Sequence, residues 1–241
     1  TRGAGSTTRG AGICLEGGGW DIAHTTIRDH SIPGVPWGNT CQGVGLSLVS
    51  GSHTVSNCLI TRNLSSGALE GGGVYVGSGN ATLANCTLYW NSPHGVYRNT
   101  AAVTLRDSIL WNNEDDVAGA ISLLNNDIED GDDAGANGNI SNSPLFERGL
   151  YLAANSPCVN AGSTSAAAAG LAARTTRADG TADAGTVDMG YHFPDGVTDY
   201  YVNRGTGNDG NSGTNAGSPF QSITKALSAA ADGSHIHIAA G

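Results

Sequence analysis

Aliphatic residues recur along the chain in fixed columns. Ile22, Val55, Leu83, Leu105 and Leu123 each open a short segment. Two places on stands His24, Asn57, Asn85, Asp107 or Asn125, and five places on Ile27, Ile60, Leu88, Leu110 or Ile128. A small or polar column lies between them: Thr25, Cys58, Cys86, Ser108 and Asn126. Asn63, Asn91 and Asn113 close three of the segments. A further aliphatic column, Ile13, Leu46, Val74 and Val96, precedes the first by nine residues, and each member follows a glycine (Gly12, Gly45, Gly73, Gly95). The steps between repeats are 33, 28, 22 and 18 residues.

A coil near 20 residues, with short alternating strands and Gly/Asn corners, predicts a β-solenoid. The signature of a leucine-rich repeat is not kept. Each coil should supply two or three strands that pair in parallel with the same strands one coil away, about 4.8 Å distant. Identical columns then stack: aliphatics fill the core, and corner Asn side chains hydrogen-bond along the stack. Insertions shrink along the chain, and the longest, between Ile32 and Gln42, reads as a loop.

Composition fits this picture and narrows the partners. The chain has 241 residues, 37 of them Gly, and only 13% are charged, about half the usual share. Gly and Asn are poor helix formers, which argues against a helical bundle. With one lysine, Lys225, and a net charge of −10, binding to nucleic acid through a basic face is excluded as a class. No apolar run is long enough for a transmembrane helix, so membrane insertion is not expected.

Two stretches carry more specific information. Asn125 to Phe146, Leu150 to Ser163 and Asp188 to Phe193 resemble the closing segments of the right-handed parallel β-helix proteins of the pectin-lyase-like class, above all large secreted or surface bacterial proteins. The resemblance covers residues 12–194. Tyr200 to Ala230 resembles the opening of such a β-helix: a strand, a Gly/Asn-rich turn and a short capping helix. The residues alone read the same way. Tyr200, Tyr201 and Val202 favour a strand, Asn203 to Ser218 are turn-forming, and Ile223, Ala226, Leu227 and Ala230 fall at helical spacing. Ile236 and Ile238 add a strand. The fold expected is all-β, a right-handed parallel β-helix with a short capping helix near the C-terminus. Residues 1–194 hold the coils and terminal coil, and 195–241 a linker plus opening segment.

An opening motif at the carboxyl end has two readings: the chain is an excerpt of a longer surface repeat protein in which a second β-helix starts after Gly241, or copies repeat or assemble head to tail. Joining Gly241 to Thr1 of a next copy puts Ile236 18 residues before Ile13, one coil length. Tyr200, Tyr201, Val202, Phe220, Ile223, Leu227, Ile236 and Ile238, with Ile13 on the receiving side, are the assembly residues this implies. A solenoid's open end is an unpaired strand edge, and a contact between unlike ends does not close, giving a fibre.

Other chemistry is sparse. Asp127, Asp130, Asp132 and Asp133 share one loop, and their oxygens would suit a hard cation such as Ca²⁺, though the spacing is not that of an EF-hand; no other cofactor is expected. Tyr89, Trp90 and Trp111 form a candidate surface for carbohydrate or for lateral contacts between filaments. The outward positions gather neither the acidic column of a lyase nor a carboxyl pair of a hydrolase, so the sequence argues against catalysis. The expectation is an extracellular or cell-surface structural or adhesive module whose partners are copies of itself; the alternative is a carbohydrate-binding or polysaccharide-degrading β-helix.

Overall fold

The computed structural model describes residues 7–32, 40–65, 69–194, 199–230 and 234–239. Most of the long Ile32–Gln42 insertion lies outside them. The chain forms an all-β, right-handed parallel β-helix. One long sheet contains Ile13–Ala23, Leu46–Ser56, Val74–Val76 with Asn80–Ala84, His94–Arg98 with Ala102–Arg106, and Asp115–Ala118 with Ser122–Leu124. A five-stranded sheet stacks Thr26–Arg28, Leu59–Thr61, Thr87–Tyr89, Ile109–Trp111 and Asp127–Ile128. A smaller sheet joins Thr7–Arg9, Thr40–Gln42 and Leu69–Glu70.

The register is that of the sequence columns. Ile13, Leu46, Val74 and Val96 pair in turn, and Val117 extends the row. Ile22, Val55, Leu83, Leu105 and Leu123 form the second row, and Ile27, Ile60, Leu88, Leu110 and Ile128 the third. Nearly all point inward to one core. Burying each such side chain contributes about 1.5–3 kcal/mol. The glycine before the first row is demanded by close approach: a β-carbon on Gly73 would lie 2.5 Å from the Gly95 carbonyl oxygen.

Two kinds of corner turn the coil. Asn63, Asn91 and Asn113 form an inward ladder. The Asn63 Nδ2 and backbone N–H both donate to Asn91 Oδ1, at 3.0 and 3.1 Å, and Asn91 repeats this on Asn113. Each also reaches back to a core-row carbonyl, of Ile27, Ile60 or Leu88. The small-polar column does the same further on, through Ser108, Asn126 and Asn139. Cys58 and Cys86 stand in that column as free buried thiols, and burial pushes the Cys86 thiol well up.

The other corner column, His24, Asn57, Asn85, Asp107 and Asn125, is left-handed throughout, with φ between 47° and 53°. Asn and Asp tolerate that conformation best. Asn57 Nδ2 meets His24 Nδ1 on the neighbouring coil at 2.9 Å, but the column forms no continuous ladder; its side chains point outward.

Residues 141–194 do not add coils. They fold into a return segment that packs over the outer face of the five-stranded sheet, where Leu152, Cys158 and Met189 meet Ile109. Asp199–Val202 and His235–Ile238 form a separate parallel pair, with the helix Ile223–Ala229 beside it. Ser222 caps this helix by accepting the Lys225 N–H at 3.2 Å.

Candidate functional site

The outward corner column is a rail for the return segment. Beginning at the last coil, Asn125 Nδ2 donates to the Ala161 carbonyl at 3.0 Å. One coil back, the Asp107 carboxylate takes the Ser163 N–H and hydroxyl, at 2.6 and 2.9 Å. Asn85 Nδ2 reaches the Asp188 carbonyl, and Asn57 binds the backbone of His192 on both sides. The chain thus travels back from the last coils to the first.

A buried polar cluster fixes the end of that path. His192 is fully buried, with Nδ1 3.0 Å from the Gly190 carbonyl and Nε2 2.8 Å from Asp183 Oδ2. Asp183 also accepts the Asp188 N–H. The Asp188 carboxylate takes the Thr176 hydroxyl at 2.5 Å and the Asn160 N–H at 2.7 Å. Burial raises its pKa. The side chains of Thr176, Asp183, Asp188 and His192 are buried and satisfied by one another and by backbone groups, which fixes the segment in place.

Where the return segment stops covering the five-stranded sheet, a cleft of about 790 Å³ remains over the first two coils. Arg28, Arg62 and Arg174 line it with His24, Tyr191 and Phe193, and among the described residues no carboxylate does. Arg62 grips Asp29 just outside, at 2.6 and 3.0 Å, while Arg28 stands 3.8 Å from the same carboxylate. Arg174 has no acidic partner among the described residues. Burial first, then the Arg174 charge, lowers the pKa of His24. The Asp29–Arg62 pair follows from their shared column on successive coils, but the cleft was not evident in the sequence, because Arg28, Arg62, Arg174 and Tyr191 belong to three separate segments.

The two ends of the solenoid differ in what covers them. At the first coil, Ile13, Leu15 and Ile22 are only half-buried and Trp20 is 56% exposed. Ile13–Ala23 pairs only with Leu46–Ser56 among the described strands. At the far end, Asp115–Ala118 and Ser122–Leu124 also have one strand neighbour each, but the turn after Ile128 lies against them: Asp130 takes the Asp116 N–H, Asn139 donates to the Leu123 carbonyl, and Val117 and Leu123 are buried.

The predicted assembly residues of the opening segment divide into two sets. Val202 and Phe220 are buried in a small core with Ala226, against which Tyr200 and Ile236 pack. Tyr201 stacks on the His237 ring. Ile223, Leu227 and Ile238 are exposed. Asp199 ties this unit to the return segment through Arg148, at 2.6 and 3.3 Å, and also meets His237 at 2.8 Å. Burial alone would raise the Asp199 pKa; the hydrogen bonds and charges of Arg148 and His237 outweigh it and hold it at about 2.

The candidate cation ligands point apart. The Asp127 carboxylate is buried, accepting from the Cys158 thiol and the Asn142 N–H. Asp130 receives the Asp116 and Asp132 N–H groups, and Asp132 and Asp133 lie in solvent. Among the described residues no three His, Cys, Asp or Glu side chains are grouped to hold a metal ion. The aromatic trio is also divided. Tyr89 meets Phe146 edge-on, and Trp111 packs against the core of the return segment. Trp90 is 58% exposed at a left-handed corner. No helix among the described residues is long and apolar enough to cross a membrane.

Comparison with known families agrees with this architecture. A family model described as a right-handed β-helix region matches residues 11–166. A second, described as a protein of unknown function (DUF1565), matches residues 205–241. No curated protein and no solved structure matches the chain.

Proposed function

The chain belongs to the right-handed β-helix family, and on that footing we propose that it is an extracellular structural module whose copies stack head to tail. The observation that carries this reading is the match between the two end strands of the long sheet, open at the first coil and met at the last only by the turn after Ile128, where Asp130 takes the Asp116 N–H and Asn139 donates to the Leu123 carbonyl. Ile13 and Ile22 at one end and Val117 and Leu123 at the other occupy the same two rows. A copy placed on another would therefore continue the parallel ladder and cover the half-buried apolar residues of the first coil. Unpaired edges of this kind recruit further strands, and joining unlike ends propagates without closing. The opening segment supports the same role. Its exposed Ile223, Leu227 and Ile238 offer an apolar surface on which a following coil would close.

The test is self-association of the purified chain. Sedimentation velocity should show mass growing with concentration, and negative-stain images should show fibres of even width. Placing a charge at each edge, with Trp20→Lys and Leu124→Lys, should leave the far-ultraviolet circular dichroism unchanged and abolish growth. A wild-type chain that stays monomeric at every concentration overturns the reading.

A further inference from the structure

We propose that the arginine cleft over the first two coils receives the acidic turn at residues 129–133 of a second copy. This rests on the reading of copies as partners and gives their contact a second, electrostatic part.

The cleft is the one described above, formed where the return segment leaves the five-stranded sheet uncovered. Among the described residues its three guanidinium groups face one nearby carboxylate, Asp29, which Arg62 occupies with two hydrogen bonds. Arg28 and Arg174 are left to attract an anion, in a chain whose net charge is −10. An arginine fork suits carboxylates in particular, since it can donate two parallel N–H bonds.

The complementary group lies on the same sheet. Glu129, Asp130, Asp132 and Asp133 are all exposed. The turn holding them is tight: Gly131 N–H donates to the Ile128 carbonyl, Ala134 to Gly131 and Ala136 to Asp133. Such a turn presents its carboxylates with little ordering left to do on binding. The negative charges also crowd one another. Burial first, then Asp130, Asp115 and Asp133, raise the pKa of Asp132.

Position rules out pairing within one copy. The turn follows Asp127–Ile128, one edge strand of the five-stranded sheet, whereas the cleft lies over Thr26–Arg28, the other edge strand. Four strand spacings, about 19 Å, part them. The two charges can meet only between copies. Because the surfaces are unlike, the contact repeats instead of closing on itself.

The cleft can be tested apart from stacking. A synthetic peptide of residues 128–134 is titrated by NMR into the monomeric Trp20→Lys/Leu124→Lys chain. Shifts should centre on Arg28, Arg174 and Tyr191, and affinity should fall at least tenfold in Arg28→Glu/Arg174→Glu. It should also fall steeply between about 50 and about 200 mM salt. Absence of binding at low salt, or equal binding by the Arg28→Glu/Arg174→Glu chain, overturns the proposal.

The second arm uses chains with free edges. Arg28→Glu/Arg174→Glu should weaken self-association, and mixing with Asp132→Arg/Asp133→Arg copies should restore it. Stacking unaffected by either change overturns the cleft contact and leaves head-to-tail stacking in place. Peptide binding by a chain that never associates supports the cleft and overturns the stacking.

Discussion

The Asn57 carboxamide and the backbone of His192, 135 residues apart, exchange two hydrogen bonds. Oδ1 accepts the His192 N–H at 2.6 Å, and Nδ2 donates to the His192 carbonyl at 2.9 Å. Both residues are buried. Asn57 does this from a left-handed corner at φ 47°, so one residue type meets a backbone need and a docking need.

Asn57→Ala removes both bonds, strands a buried N–H and carbonyl, and places a β-carbon in the left-handed region. The expected loss is about 2–4 kcal/mol, read as a lower urea midpoint. Asn57→Gly keeps the backbone but not the bonds, and should recover only about 1 kcal/mol of it. A wild-type midpoint for Asn57→Ala would mean that the return segment docks without the rail.

Asn91 sits mid-ladder, accepting from Asn63 and donating to Asn113 and to the Ile60 carbonyl. Asn91→Leu keeps the branching of the side chain but leaves those buried groups unpaired and adds bulk. A loss of about 2–4 kcal/mol is expected. Thermal unfolding at matched concentration reads it.

Gly73→Ala brings a methyl group to 2.5 Å from the next coil's carbonyl oxygen. Neither backbone can move without shifting its own ladder, so a loss of about 1–3 kcal/mol is expected. Hydrogen exchange should accelerate first at Val74–Val76 and His94–Arg98, and unchanged protection there would count against the close stacking.

Asp116 is 2% exposed. Its pKa is raised to about 7, chiefly by burial, with the Asp130 charge adding to it and hydrogen bonds from Asn113 and the Asp130 and Glu129 N–H groups opposing it. Because the folded value lies above the unfolded one, the protonated acid favours the fold. That contribution is complete below about pH 4 and declines as pH rises to about 7. Stability should therefore fall across this window, by on the order of a few kcal/mol, and Asp116→Ala should flatten the dependence. A carboxyl ¹³C titration of Asp116 should show a midpoint near 7; one near 4 refutes the assignment.

The repeat was legible because stacking acts on single columns. Each row of the core must accept the same kind of side chain at every coil, and Ile22 through Leu123 record this directly. The glycines before Ile13, Leu46, Val74 and Val96 record the carbonyl that approaches them. What could not be read was destination. The Asn57 and Asn63 columns look alike in sequence, and both were expected to stack. Asn63 does so as part of a ladder, whereas Asn57 touches only His24 in its column and otherwise faces outward to a segment more than a hundred residues later. Tyr89 and Trp111 looked like surface for the same reason, since alternation marks them as outward but not as covered. The arginine cleft depends on where the return segment ends, which no spacing within the repeats encodes.

The return path also sets an order in time. During synthesis the first coils emerge early, yet the backbone that satisfies Asn57 is made 135 residues afterwards. Those corners must wait, hydrated, until the return segment has been made. Contacts so distant in sequence make closure slow, so the return segment, made after all the coils, completes the first of them.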